Sequence, residues 1–146
     1  MVNDDRGSGA EPDLGALLGR LIPHLMTREE PILRAAGLSM WEYAIVCEVA
    51  ATPAVSQREL SERTGRDPTR LGKHLDEIQR RGIVSRDRSG SRRQWTVSIT
   101  AEGRSLLDGV RVEIRAVEDE LLSGAMSDSQ AATFRRLLKS LVAEIS

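Results

Sequence analysis

The chain has 146 residues, 40% apolar and 29% charged, with a formal net charge of −1; that is the size of one ordinary domain with a core of its own, and not the composition of a disordered chain. One cysteine, Cys47, rules out an internal disulfide and suits a reducing cytoplasm, and no apolar run reaches the roughly 18 residues of a membrane span. Aromatic residues make up only 3%, too few for a protein that holds single strands by stacking bases.

Positions 1–12 are polar and acidic, lack an apolar signal-peptide core and read as a disordered tail ahead of one domain over 13–146. From Asp13, Leu14, Leu17, Leu18, Leu21, Ile22 and Leu25 recur at helical spacing, which predicts a helix kinked at Pro23 and ending near Glu30, before Pro31. Gly37 breaks the chain, and Ser39 caps a second helix with Trp41, Ala44, Ile45, Val46 and Val49, closed by Thr52-Pro53. Ser56 and Glu59 have capping-box spacing ahead of a short helix that turns Leu60 inward. After a turn at Thr64-Gly65-Arg66, Asp67 caps a further helix with Pro68 at its first position, where the missing N–H costs nothing. That helix sets Leu71, Leu75 and Ile78 on one face and Thr69, Arg70 and Lys73 on the other, with His74 at the margin. Gly82 ends it. A strand over 83–86, a Gly/Ser/Arg loop over 87–93 and an alternating strand with Trp95, Val97 and Ile99 facing one way make a hairpin. Thr100 then caps a long helix, and a second capping box, Ser127 to Gln130, opens a last helix with Phe134, Leu137, Leu138, Leu141, Val142 and Ile145.

The net charge hides an asymmetry. Positions 56–93 hold eleven basic and six acidic residues, while the remainder holds ten and sixteen. The basic stretch is therefore the candidate polyanion face. Two short helices joined by a tight Gly turn, followed by a hairpin with a basic tip, form a winged helix-turn-helix pattern within a mainly α chain (α+β). In it the second helix offers Thr69, Arg70 and Lys73 to base edges in the major groove. His74 reads as a phosphate contact or a surface residue, and Ser56 and Gln57 complete that side of the candidate set. Arg88, Arg92 and Arg93 suit a narrow, electronegative minor groove, because a guanidinium is less strongly hydrated than an ammonium.

The stretches GLSMWEY at 37–43, LSERTG at 60–65, LDEIQRRGIVSR at 75–86 and VSITAEGRSLL at 97–107 resemble the MarR family of winged-helix regulators, and the likeness extends from about 13 to 145. The resemblance implies a winged-helix lobe over about 37–100 and dimerisation helices over about 13–34 and 101–146. It implies a homodimer whose core is built by Leu14, Leu17, Leu21, Leu137, Leu138, Leu141 and Val142. The wide apolar faces of the terminal helices favour a partner independently. Arg92 aligns with the family's wing arginine, with Arg93 or Arg88 as substitutes, but Ser91 stands where members often carry an aspartate. Pro68, Arg70 and Gly72 also depart from the small hydroxyl residues common in the recognition helix, so no base preference carries over.

The resemblance also implies release of DNA by a small aromatic or phenolic acid, in a cleft that His24, Met26, Trp41 and Tyr43 could line. Cys47, on an apolar helix without a base in reach, reads as a buried, inert thiol. No nucleophile elbow, phosphate loop or metal-ligand spacing is present, and His24 and His74 are far apart. The expectation is therefore a cytoplasmic transcriptional regulator, of repressor type, binding a pseudo-palindromic site on double-stranded DNA, with no catalytic activity, cofactor, metal or membrane partner. The alternative is a dimeric interaction module, an anti-repressor, that uses the same fold without DNA.

Overall fold

A computed structural model of the chain describes residues 10–88 and 94–145. The elements run α1 (Leu14–Ala35), α2 (Met40–Ala51), β1 (Val55–Ser56), α3 (Gln57–Thr64), α4 (Pro68–Arg80), β2 (Val84–Arg88), β3 (Trp95–Ile99), α5 (Ala101–Ser123) and α6 (Asp128–Glu144). The tail expected over 1–12 falls mostly outside the described residues.

Capping residues start the helices where the sequence places them. Asp13, Ser39, Ser56, Asp67, Thr100 and Ser127 each accept a backbone N–H from the first turn. Reciprocal capping boxes form at Ser39–Glu42 and Ser127–Gln130. At Ser56 only half of the box exists: the hydroxyl accepts from the Glu59 N–H at 3.0 Å, while the Glu59 carboxylate lies 4.0 Å from Arg63. Ser56 is at the same time paired with Thr96 in the sheet.

α1 departs from expectation. It runs through both Pro23 and Pro31 to Ala35. Each proline removes one backbone bond, and an interior proline costs about 3 kcal/mol. The last turns are kept by tertiary burial that offsets this cost: Leu33 packs with Val110 and Ile114 of α5.

The main core lies inside the winged-helix lobe. Ile45, Val46 and Val49 of α2, Leu60 of α3, Leu71, Leu75 and Ile78 of α4, and Val55, Val84 and Val97 of the sheet form one buried cluster that Leu107 of α5 closes. Each such side chain contributes roughly 1.5–3 kcal/mol by leaving water. The sheet has three strands, not the hairpin alone. β1 pairs antiparallel with β3 through Val55–Val97 and Ser56–Thr96, and β3 pairs with β2 from Val84–Ile99 to Arg88–Trp95. Two residues are too few to show an alternating pattern, so β1 left no trace in the sequence. β2 also extends to Arg88, which therefore sits on a strand and not in the loop.

Two glycines set the geometry. Gly65, at φ +67°, makes the left-handed turn between α3 and α4. Gly103 lets α5 approach the residue that precedes β2 so closely that a Cβ would overlap the Ile83 carbonyl. Thr100 fastens the same junction: its N–H donates to the Ile83 carbonyl at 3.1 Å and its hydroxyl to the Gly82 carbonyl at 2.6 Å.

Candidate nucleic-acid interface

The candidate recognition helix, α4, is amphipathic, as a groove-reading helix has to be. Leu71, Leu75 and Ile78 are buried, whereas Thr69, Arg70 and Lys73 are exposed. Arg70 is held near the helix start, with its N–H bonded to the Asp67 carboxylate at 3.0 Å and its Nε 3.5 Å from the same group. These contacts hold the Asp67 carboxyl below its ordinary range, the backbone bond from Arg70 first and the Arg70 charge after it.

His74 is half-buried and turned toward the α3–α4 turn. Its Nε2 lies 3.4 Å from an Arg66 nitrogen, and the Arg66 guanidinium is stacked 3.8 Å from the centre of the Trp41 ring. Arg66 Nε is buried without a hydrogen-bond partner among the described residues. Trp41, Arg66 and His74 thus join α2, the turn and the recognition helix. That the three converge is not visible in the sequence, because spacing along one chain does not report contacts between elements.

The other candidate positions fall into distinct settings. The Ser56 hydroxyl is engaged as a helix cap. Gln57 is half-buried and accepts from Arg86 at 3.4 Å. Arg86, whose side chain is 16% exposed, also donates to Gln79 at 2.7 Å and pairs with Asp76. It is a clamp between the wing and α4, and a basic-residue count gives no means of telling it from a surface arginine. Arg88 is exposed, with its guanidinium 4.7 Å from the centre of the Trp95 ring. Trp95 itself is 39% exposed. The sequence set it inward with Val97 and Ile99, but β3 at Trp95 projects past the core that buries Val97. Arg92 and Arg93 lie outside the described residues.

The four cleft residues are not brought to one cavity. A cavity of about 460 Å³ lies between α1 and the turn into α2, lined by Met26, Thr27, Glu30, Leu33, Arg34 and residues 37–40. Met26 is part of this lining, while His24, Trp41 and Tyr43 are not. His24 is on the exposed side of α1. Tyr43 packs into the core beside Cys47 and Arg111, and its phenol is pushed up to about 12, chiefly by burial and then by the neighbouring thiol, against the opposing pull of Arg111. From the far end of α4, Arg81 donates to the carbonyls of Ala36 and Gly37 at the rim of the cavity.

The terminal helices carry the apolar faces read from the sequence. Leu14, Leu17, Leu137, Leu138, Leu141 and Val142 are exposed, and Leu21 is half-buried. No residue of α6 is buried. Arg135 ties α6 to α5 through Glu118 at 2.7 Å and Asp119 at 2.9 Å. Among the described residues no group of His, Cys, Asp or Glu could hold a metal ion, and no helix is long and apolar enough to cross a membrane.

No protein-family profile matches the sequence. Among curated proteins, the chain is 26% identical over 136 residues to the HTH-type transcriptional repressor Rv2887 of Mycobacterium tuberculosis, covering 92% of this chain and 97% of that protein. The solved structure of that mycobacterial protein with p-aminosalicylic acid superposes with a TM-score of 0.73 at 27% identity, covering 89% of this chain and 98% of the other. Its complex with DNA superposes at 0.74, with 24% identity and 90% and 98% covered. A MarR-family transcriptional regulator from Rhodococcus sp. RHA1 superposes at 0.77 with 26% identity, covering 88% and 91%. Among the described residues, six helices and a three-stranded antiparallel sheet, with a sequence likeness along almost the whole length, make this chain similar to the MarR-family winged helix-turn-helix regulators, whose fold it shares.

Proposed function

We propose that the chain is a sequence-specific transcriptional repressor that binds a pseudo-palindromic site on double-stranded DNA as a homodimer, and that it acts in the cytoplasm without catalytic activity. The observation that carries this reading is α4. One face is wholly buried, the opposite face presents Thr69, Arg70 and Lys73, and the exposed Arg88 stands on the adjoining wing. A helix so mounted can enter a major groove while the wing follows the backbone. The mycobacterial relative with the same fold has been solved with DNA. Ser56, Gln57, His74, Arg92 and Arg93 complete the proposed contact set, with Ser56, Gln57 and His74 acting mainly by holding α3 and α4 in place.

The dimer rests on Leu14, Leu17, Leu21, Leu137, Leu138, Leu141 and Val142. Two recognition helices must lie about 34–36 Å apart to meet successive major grooves. The cavity at the end of α1 has the size of a small-ligand site, and a small aromatic acid is the proposed effector. The relative's complex with p-aminosalicylic acid supports that chemical class.

The test is recovery of bound fragments from genomic DNA. A two-fold protein should select inverted repeats with half-sites about one helical turn apart. Fragments without two-fold symmetry, or no retention of duplex DNA in dilute salt, would remove the reading. A panel of aromatic acids, p-aminosalicylate included, should lower affinity for those fragments, and a flat response to all of them would remove the effector part alone.

A further inference from the structure

The wing root holds an uncovered indole in a chain with very few aromatic residues, and the two arginines of its neighbouring strand surround it. Arg88 lies directly opposite Trp95 in the β2–β3 register, 4.7 Å from the ring centre, and Arg86, two residues back on the same face of β2, lies at 5.8 Å. Arg86 is in turn fixed to α4 by Asp76 and Gln79 and to α3 by Gln57. A continuous path therefore runs from the recognition helix through Arg86 and the Trp95 ring to Arg88.

We propose that Trp95 is a positioning residue for DNA binding: its ring holds the Arg88 guanidinium at the wing root and makes that cation part of one rigid unit with α4. A ring face attracts a cation through its quadrupole and leaves the charge un-neutralised. Arg88 makes no ion pair with a described residue, so its full charge remains for a phosphate or a groove edge. A free arginine would lose rotamer freedom on contacting DNA, whereas a stacked one has lost much of it already. The inference rests on the DNA-binding reading above.

The experiment measures binding of duplex fragments recovered from the genome, and of random duplex, over a range of salt. The proteins are the full chain and its Trp95→Leu, Trp95→Phe, Arg88→Ala and Trp95→Leu/Arg88→Ala variants. Trp95→Leu keeps apolar bulk and removes the ring's quadrupole. It should weaken both duplexes about two- to five-fold, the range of an exposed cation–π contact. It should also reduce the salt slope in the same direction as Arg88→Ala. In the Arg88→Ala background the same substitution should add little, and Trp95→Phe should retain most of the binding. Unchanged affinity and slope in Trp95→Leu, or an undiminished loss when Arg88 is already alanine, would overturn the proposal while leaving DNA binding standing. Failure of the unaltered chain to bind any duplex would overturn both. Should Trp95→Leu not fold, emission of Trp95 in a Trp41→Phe chain decides. Duplex DNA should change it at concentrations where a mobility shift shows the Trp41→Phe chain bound, and Arg88→Ala should abolish the change; emission unaltered by bound DNA overturns the proposal.

Discussion

Single side chains divide the basic stretch into residues that reach outward and residues that hold the lobe together. Arg70 and Lys73 are exposed on α4, but Arg70 starts from a defined place beside Asp67, whereas Lys73 is a point charge on a flexible stem. Arg70→Ala should therefore alter base preference more than it lowers affinity for random duplex, as a selection from a randomised half-site library would show. Equal losses on specific and random DNA would count against base reading. Lys73→Ala should weaken both duplexes alike and reduce the salt slope by about one. Arg86 and Arg66 belong to the other group, since their partners are Asp76 and Gln79 in one case and Trp41 and His74 in the other.

Contacts between elements decide how the recognition helix is held and how the long helices respond to pH. α5 touches Ile83, just ahead of β2, through Gly103, so Gly103→Ala would force the Ile83 carbonyl away and cost about 1–3 kcal/mol, the range of overpacking in a tight core. Chemical denaturation at fixed protein concentration measures this. Between α1 and α5, Glu29 is buried against Glu118, and its carboxyl titrates above the ordinary range because burial, then the Glu118 charge, disfavour ionisation. The folded chain thus binds more protons than the unfolded chain between the ordinary carboxyl value and the raised one. Stability is greatest below that window and falls as pH rises through it. Glu29→Gln removes this decline. Its unfolding curve should show a gain over the natural chain at neutral pH that disappears near pH 4, and parallel pH profiles for the two would contradict the assignment.

The whole molecule offers two faces of different character, a basic winged-helix lobe and a pair of terminal helices with apolar surface. Leu137, Leu138 and Leu141 on α6 and Leu14 and Leu17 on α1 are more exposed than a water-soluble chain of this size would ordinarily leave so many large apolar groups. The Leu138→Asp/Leu141→Asp double substitution should convert the purified protein to a monomer in light scattering. Affinity for an inverted repeat should then fall to that for a single half-site, because linked half-sites no longer act together. An unaltered mass would count against the proposed interface, and a natural chain already monomeric would remove the proposed dimer.

Local chemistry was readable from the chain alone. Hydroxyl and carboxylate caps, the left-handed glycine at 65, Pro68 at a helix start and the period of Leu71, Leu75 and Ile78 each act within a few residues, so they announce α2 to α6 and the amphipathic recognition helix without reference to anything distant. Contacts across the fold were not readable. α1 passes through two prolines because α5 buries its last turns, β1 exists only because β3 lies beside it, and Trp41 and Trp95 are occupied by arginines from other elements. The reason is that capping and periodicity are short-range properties of neighbouring residues, whereas burial and cation stacking are decided by which distant segments the core brings into touch.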